Sequence, residues 1–573
     1  MGFAYHALVF DYDGTLTQGA RPEPAVLEAL ARARASGRKL VLATGRILRE
    51  LVAEFPDVEQ HFDALVLENG AVVRTALGHR LVIAPVDLQL DAALTTAGIS
   101  FRRGEAIVAT GADAAPLALA ALARLGLDCQ LVRNREELMI LPAGVSKGTG
   151  AREALGDLGI SYHCAIAVGD AENDLALIEA CELSVAVSNA VDALKTRVDV
   201  VLTAPGAQGI AALIDGPLVR GERSVRSRRW QVELGDGARI PGSGVNVLVA
   251  GDSGSGKSYL AGLFAERLVQ LGYSICVLDP EGDYEALGHL RGVRVVGGTE
   301  PLPAPSGLAA AVRHRFGSLV VDLSHLPYPE RQQYVADALR ELQLLREQTG
   351  APHWILLDEA HLPLAEEPLP IDPAQKGLCL VTYLPQRLAL RLLEAVDVFL
   401  LPLSKTNSVA AELLEVAGVR ALPALPSSGS PSRLGLLVDG RGATPIPFRM
   451  PLRCSPHVRH WHKYMSQHLP EQLGFIFRGP HGEALCTASN VSELHHDLVG
   501  VPGASIAHHA SRGDLSRWAR EALQDPTLAE GLAAAERCLA EGTPKVRQAL
   551  LDAVERRYIA LGPTAPPKLA VAR

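Results

Sequence analysis

Short, unbroken apolar runs recur along this chain, and again and again they close on a polar residue able to do chemistry. ALVF (7–10) leads into Asp11, KLVLA (39–43) into Thr44 and AIAVG (165–169) into Asp170. Runs that are apolar on both faces belong to strands covered on both sides, and Ala/Leu-rich helical patterns lie between them, so the sequence predicts an α/β fold with a parallel sheet. In such sheets the ligand crevice lies at the carboxyl ends of the strands, which brings the three polar endings to one site.

A second series follows: NVLVAG (246–251), SICVLD (274–279), SLVVDL (318–323), WILLDE (354–359), GLCLVTY (377–383) and VFLLPL (398–403). Helical patterns such as PERQQYVADALRELQLLREQTG separate them. A chain of 573 residues exceeds what one hydrophobic core supports. The expected division is an α/β domain over 1–215 with an inserted α/β cap at about 71–145, a linker over 216–242, a second α/β domain over 243–452 and a mainly helical region over 453–573. The linker arginines Arg220, Arg223, Arg226, Arg228 and Arg229 read as a solvated charged surface. PALPSSGSPSR (423–433) reads as a loop and PTAPPKLAVAR as a disordered tail.

Bulk properties narrow the setting. Although 48% of residues are hydrophobic, no apolar run reaches the length of a membrane-spanning helix, and no membrane partner is expected. No basic segment precedes the first apolar run, as a signal peptide would require. The eight cysteines are scattered without a CxxC pair, which fits a reducing, cytoplasmic location. A net charge of −9 offers no overall attraction to nucleic acid, so DNA binding would need a local basic surface or the lumen of an oligomer.

VFDYDGTLT sets Asp11 and Asp13 two residues apart at a strand end. One carboxylate can attack phosphorus while the other protonates the leaving oxygen and later activates water. Thr44 in LATGR and Lys147 in VSKG can hold phosphate oxygens. Asp170 and Asp174 in GDAEND suit Mg²⁺ together with Asp11. As single residues these would be helix caps or turn residues; four ordered motifs at strand ends disfavour that reading.

DYDGT, ATGR, SKG and GDAEND resemble the four motifs of the haloacid dehalogenase superfamily, and ENGA (68–71) with VSNA (187–190) is similar to its Cof-type branch. The resemblance implies a Rossmann-like domain with Asp11 as nucleophile, Asp13 as general acid/base, Thr44, Lys147 and Asn173 around the phosphate, and Asp11, Asp13, Asp170 and Asp174 around the metal. It also implies a small phosphomonoester substrate such as a sugar phosphate. Arg102 and Arg103 of the cap are candidate anion holders, set against the more ordinary reading of exposed arginines as solvated.

GDSGSGKS (251–258) follows a strand and precedes a helical pattern, the setting of a phosphate-binding loop. Gly251, Gly254, Ser255, Gly256 and Lys257 would cradle ATP phosphates, and Ser258 would ligate Mg²⁺. Asp358 in WILLDEAH would bind Mg²⁺ through water, and Glu359 beside it would polarise the attacking water. The order GDSGSGKS, VLDPEGDY, LLDEAH resembles the HerA/FtsK-type ATPases. That implies a RecA-like domain, a homo-oligomer, typically a hexamer, with ATP sites completed by a neighbour's arginine (Arg331, Arg387 and Arg391 are candidates), and DNA as a candidate partner. Thr382-Tyr383 stands where that family tends to carry a Thr-Gln pair, with Gln386 displaced. The alternatives are an end-processing enzyme of the polynucleotide kinase–phosphatase type and a nucleotide-gated nucleic-acid-binding scaffold.

His457, His460, His462 and His468 cluster near the start of the last region without a zinc signature. RGDLSRWAREAL reads as a helix burying Leu515, Trp518 and Leu523.

Overall fold

The computed structural model describes residues 5–558 apart from 20, 135, 253–254, 299, 314–316, 404–412, 420–433, 456–468, 470–472 and 524. Two compact units are present, residues 1–457 and 458–573. No helix among the described residues is long and apolar enough to cross a membrane.

The first sheet has eight strands in the order Val200–Val201, Leu183–Ala186, Ala165–Gly169, Ala7–Asp11, Lys39–Ala43, Ala64–Leu67, Val72–Thr75, Gly78–Leu81. The first six are parallel, and the last two continue the edge as an antiparallel hairpin. Strand Ala7–Asp11 is buried along its whole length at the centre, which places its carboxyl end at the crevice where neighbouring strands diverge. The sequence placed the cap at about 71–145, but Val72–Leu81 belongs to the core sheet because its strands pair with Ala64–Leu67. A separate four-stranded antiparallel sheet starts at Phe101 and runs to Pro142, in the order Phe101–Arg103, Val108–Gly111, Glu137–Pro142, Cys129–Asn134. Its helices Gln89–Thr96 and Ala115–Leu125 pack on it through Leu90, Leu94, Ala118 and Leu122.

The second large sheet has nine strands: Val293–Gly297, Ser318–Asp322, Ile275–Asp279, Trp354–Leu357, Leu378–Thr382, Val247–Ala250, Val398–Pro402, Leu434–Asp439, Ile446–Arg449. The first seven are parallel and the last two antiparallel. The helix Lys257–Gln270 buries Leu260, Leu263, Phe264 and Leu268 against one face.

These two sheets are joined through a buried polar contact. Glu182, just after the helix Leu175–Ala180, is 1% exposed and accepts hydrogen bonds from Tyr273 Oη at 2.8 and 3.1 Å, from Ser243 Oγ, and from His163 Nδ1 at 2.7 Å. The His163 ring stacks on Tyr273 at 3.6 Å between centroids, and its Nε2 lies 3.1 Å from the Leu271 carbonyl. The linker is therefore more than a solvated surface. Arg229 donates to the carbonyls of Ile178, Cys181 and Glu182, satisfying the carbonyl end of the Leu175–Ala180 helix, and Trp230 Nε1 donates to Cys181 O at 3.0 Å. Arg226 pairs with Asp439.

The second unit is a hairpin, Phe475–Arg478 with Ala484–Ala488, beside five helices between Val491 and Tyr558. Leu515, Trp518 and Leu523 are buried there. His509 has both ring nitrogens engaged, Nδ1 with Asp514 at 2.9 Å and Nε2 accepting from Arg478 N at 2.8 Å, which makes it a packing residue. His457, His460, His462 and His468 lie outside the described residues.

Removing the Glu182 charge leaves the groups that donate to it without their full partner at a buried site, which costs about 1–3 kcal/mol. The variant Glu182→Gln is expected to lower the unfolding free energy of the full chain by that amount in urea titrations.

Candidate functional site

At the crevice of the first sheet, Asp11, Asp170 and Asp174 bring carboxylate oxygens within 4.8 Å of one another, all buried. Lys147, the first residue of the helix Lys147–Asp157, places Nζ 2.6 Å from Asp11 Oδ1 and 2.7 Å from Asp174 Oδ1. The Ser146 side chain caps this helix by accepting from Thr149 N, which fixes where Lys147 leaves the backbone. Asp174 Oδ2 accepts from the N–H groups of Asp170 and Ala171. Thr15 Oγ1 donates to Asp170 Oδ1 at 3.2 Å. Gly14 has φ +93°, and a Cβ there would stand 2.1 Å from Asp170 Oδ2, so only glycine permits the close approach.

Burial raises the pKa of Asp11 well above the carboxylate range, and Asp174 raises it further. Asp170 is raised by the same two causes. Burial opposes the charge on Lys147, but Asp11 and Asp174 outweigh it and raise its pKa. Three carboxylates against one ammonium leave two formal negative charges on oxygen ligands alone, the donor set and charge that suit a hard divalent cation. Asp13, expected among the metal ligands, is not one of these three. Its carboxylate turns to Arg46, which donates to both oxygens at 2.7 and 2.9 Å and also pairs with Glu54. Thr44 is fully buried and its Oγ1 accepts from Arg46 N. Asn173 lines the cavity beside them.

The cavity is about 570 Å³ and opens between core and cap. Asp11, Asp13, Arg46 and Lys147 line its base, and Arg102, Ile107, Glu136, Glu137 and Met139 face them from the cap. Arg102 is held by Glu50 and Glu137. Arg103 pairs with Asp91 and the Val86 and Asp87 carbonyls, within the cap.

Two residues passed over as site elements in the sequence carry much of this geometry. Arg46 was visible only as the last letter of ATGR. Glu68 is buried, and its carboxylate accepts from the N–H groups of Glu105, Ala106 and Ile107 at 2.8, 2.8 and 3.1 Å, so the core directly holds the turn between the cap strands Phe101–Arg103 and Val108–Gly111. Gly70 has φ +100° and a Cβ there would meet Ser146 O at 1.9 Å, which locks ENG against the lysine-bearing helix.

In the second sheet, the loop after Val247–Ala250 turns at Gly256 (φ +104°) into the helix that begins at Lys257. Lys257 Nζ donates to Asp252 O at 2.9 Å, Gly251 and Ser255 lie in the same turn, and Ser258 is the second helical residue. Gly254 lies outside the described residues. Asp358 and Glu359 follow Trp354–Leu357, and Glu359 sits at φ +49°, a left-handed conformation that a non-glycine residue holds only under constraint. Asp279 of VLDPEGDY folds its own loop by accepting from the N–H groups of Glu281, Gly282, Asp283 and Tyr284. Burial, then Asp283, Asp358 and Asp322, raises its pKa. Arg331 donates to the Ser324 and Leu326 carbonyls and Arg391 pairs with Asp372, so both have structural partners within the chain.

The family model for the haloacid dehalogenase-like hydrolases matches residues 8–114 and 128–214. The phosphoglycolate phosphatase of Halobacterium salinarum is 30% identical over 221 residues, covering 36% of this chain and 95% of that protein. The chain belongs to the haloacid dehalogenase-like hydrolases. In this hydrolase the family match is followed by a second one, to the central domain of helicase HerA, over residues 246–342. The hydrolase is thus fused to a HerA-type ATPase domain. Phosphoglycolate phosphatase 2 of Saccharolobus solfataricus is 40% identical over 82 residues, 14% of this chain, and the chain spans 35% of that relative's length. A haloacid dehalogenase-like hydrolase from Bacteroides thetaiotaomicron is 23% identical, with a TM-score of 0.32 over 37% of this chain and 98% of that one.

Replacing Glu68 by Gln keeps the backbone turn but weakens three bonds to the cap. Amide exchange at residues 105–107 is expected to speed up about tenfold or more, read by hydrogen–deuterium exchange, while the Ala7–Asp11 strand stays protected.

Proposed function

We propose that the front domain hydrolyses small phosphomonoesters through an aspartyl-phosphate, and that the rear domain hydrolyses ATP as an oligomer. The buried Asp11–Lys147–Asp174 arrangement carries the first half of this reading. Asp11 attacks phosphorus and forms the aspartyl-phosphate bond as the bond from phosphorus to the ester oxygen breaks. Asp13 gives its proton to that oxygen. Asp13 then takes a proton from water, whose oxygen attacks phosphorus, and the aspartyl bond breaks to release inorganic phosphate and the Asp11 carboxylate. Thr44, Lys147 and Asn173 hold the phosphate oxygens. Asp11, Asp170 and Asp174 would hold Mg²⁺, which supplies positive charge against the phosphoryl oxygens. Arg46 aims Asp13 at the cavity and must give up part of its grip when Asp13 takes up a proton.

The cavity walls favour a neutral, hydroxyl-rich leaving group such as a sugar. Glu50, Glu54, Glu136 and Glu137 also line it, and its two arginines, Arg46 and Arg102, are each already shared between two carboxylates. Sugar hydroxyls find acceptors in such a pocket. A leaving group with its own carboxylate, as in phosphoglycolate, meets surplus negative charge.

For the rear domain, Lys257 and Ser258 would contact the outer ATP phosphates and Mg²⁺, Asp358 the metal through water, and Glu359 the attacking water. The match to the HerA central domain supports a ring of identical subunits and makes DNA a candidate partner. The absence of a membrane-crossing helix among the described residues fits a cytoplasmic location.

Inorganic phosphate release from a panel of sugar phosphates tests the first half. Asp11→Asn is expected to lower kcat by at least about a thousandfold, and wild-type kcat/KM for the best sugar phosphate is expected to exceed that for phosphoglycolate by about tenfold or more. Rates for Asp11→Asn equal to wild type across the panel would remove the mechanism. Thermal melting tests the metal. Raised carboxyl pKa values mean that, without a cation, ionising Asp11 and Asp170 in the fold costs stability increasingly as pH rises from about 4, where unfolded carboxyls ionise, through the raised values. A divalent cation offsets that cost, so the Mg²⁺-induced rise in Tm is expected to be larger at pH 8 than at pH 5.

A further inference from the structure

Around Glu359 the fold has built a small buried relay that the hydrolytic reading does not use. His361 is 3% exposed, and its Nδ1 lies 3.4 Å from Glu359 Oε2 and 3.0 Å from Thr382 Oγ1. Thr382 is fully buried at the end of the neighbouring strand Leu378–Thr382, and its Oγ1 also accepts from Leu384 N at 3.0 Å. The ring edge of His361 meets Tyr383 at 4.8 Å between centroids, and Lys257 Nζ lies 5.8 Å from the centre of the Tyr383 ring. One imidazole therefore touches groups from two adjacent strand ends, beside the lysine of the phosphate-binding loop.

We propose that His361 is a positioning residue for ATP hydrolysis: the hydrogen bond between its Nδ1 and Thr382 Oγ1 anchors the ring 3.4 Å from Glu359 Oε2, so that the carboxylate is confined beside the Thr382 strand end and aimed at the attacking water. This rests on Glu359 being the hydrolytic carboxylate. The geometry explains why a side chain link is needed. Glu359 sits at φ +49°, so its backbone leaves the strand direction at once and the sheet ladder no longer fixes where its carboxylate points. A neutral ring suits the task, because it has a single N–H to give and adds no positive charge that would compete with Lys257 for phosphate. Burial, with Arg387 and Lys257 nearby, pushes the His361 pKa down to about 4 and keeps the ring neutral at working pH. Thr382 completes the link: its hydroxyl can accept from Nδ1, and the Leu384 N–H holds it in place.

The test uses the full-length protein with two substitutions at one position. His361→Leu removes the donor, whereas His361→Asn places an amide N–H near the position of Nδ1. Steady-state ATP turnover and the Kd of a fluorescent ATP analogue are measured for both, with Glu359→Gln as reference. His361→Leu is expected to lower kcat roughly 10–100-fold with the nucleotide Kd unchanged, and His361→Asn to recover most of the loss. Two results would overturn the inference: turnover by His361→Leu within about twofold of wild type while Glu359→Gln is slow, or equal losses in the Leu and Asn variants at unchanged Kd and Tm. Wild-type turnover by Glu359→Gln would instead remove the hydrolytic reading, and the positioning role with it.

Discussion

Three carboxylates do not gather in a protein interior unless something holds them there. In this chain the first such group is Lys147, whose ammonium sits between Asp11 and Asp174 with hydrogen bonds of 2.6 and 2.7 Å. The two acids come from stretches more than a hundred residues apart, so this contact also ties the end of the central strand to the segment that follows its neighbour Ala165–Gly169. The surrounding architecture serves the same end. The central strand delivers Asp11, the capped helix start aims Lys147, and backbone N–H groups take up the far oxygen of Asp174. Every carboxylate oxygen used in this way is one less isolated charge to desolvate.

Strand ends were legible in the sequence because a buried parallel strand must be apolar on both faces and its first polar residue marks where it stops. Asp11, Thr44, Asp170, Asp358 and Glu359 were all placed by that rule, and the structure sets each at a strand end. Contacts between distant surfaces were not legible. Nothing in ENGA announces that Glu68 reaches across to three amides of the cap, and the hairpin Val72–Leu81 looks like any other pair of short strands until its pairing with Ala64–Leu67 assigns it to the core. Arg46 shows the same limit: an arginine after a turn glycine is ordinary, and only the fold brings it against Asp13.

The rear domain handles charge in a different way. Asp279, Asp322 and Asp358 end adjacent strands, yet Asp279 spends its carboxylate on four amides of the following loop. That makes VLDPEGDY a structural device for shaping the crevice, with its acid turned inward, and leaves Asp358 and Glu359 as the acids at the next strand end. The backbone at Glu359 is held in a conformation that costs of order 1–3 kcal/mol, which the packed strands around it must sustain.

The contact centred on Glu182 makes the fusion more than two enzymes on a string. Its acid, its imidazole and the carbonyls capped by Arg229 come from the hydrolase, while Tyr273, Ser243 and Trp230 come from the linker and the ATPase domain. Splitting the gene between them would hydrate a carboxylate and strip a helix end that the intact chain keeps dry. Neither half carries a finished surface at that seam, so either one made alone would need that face rebuilt with polar side chains.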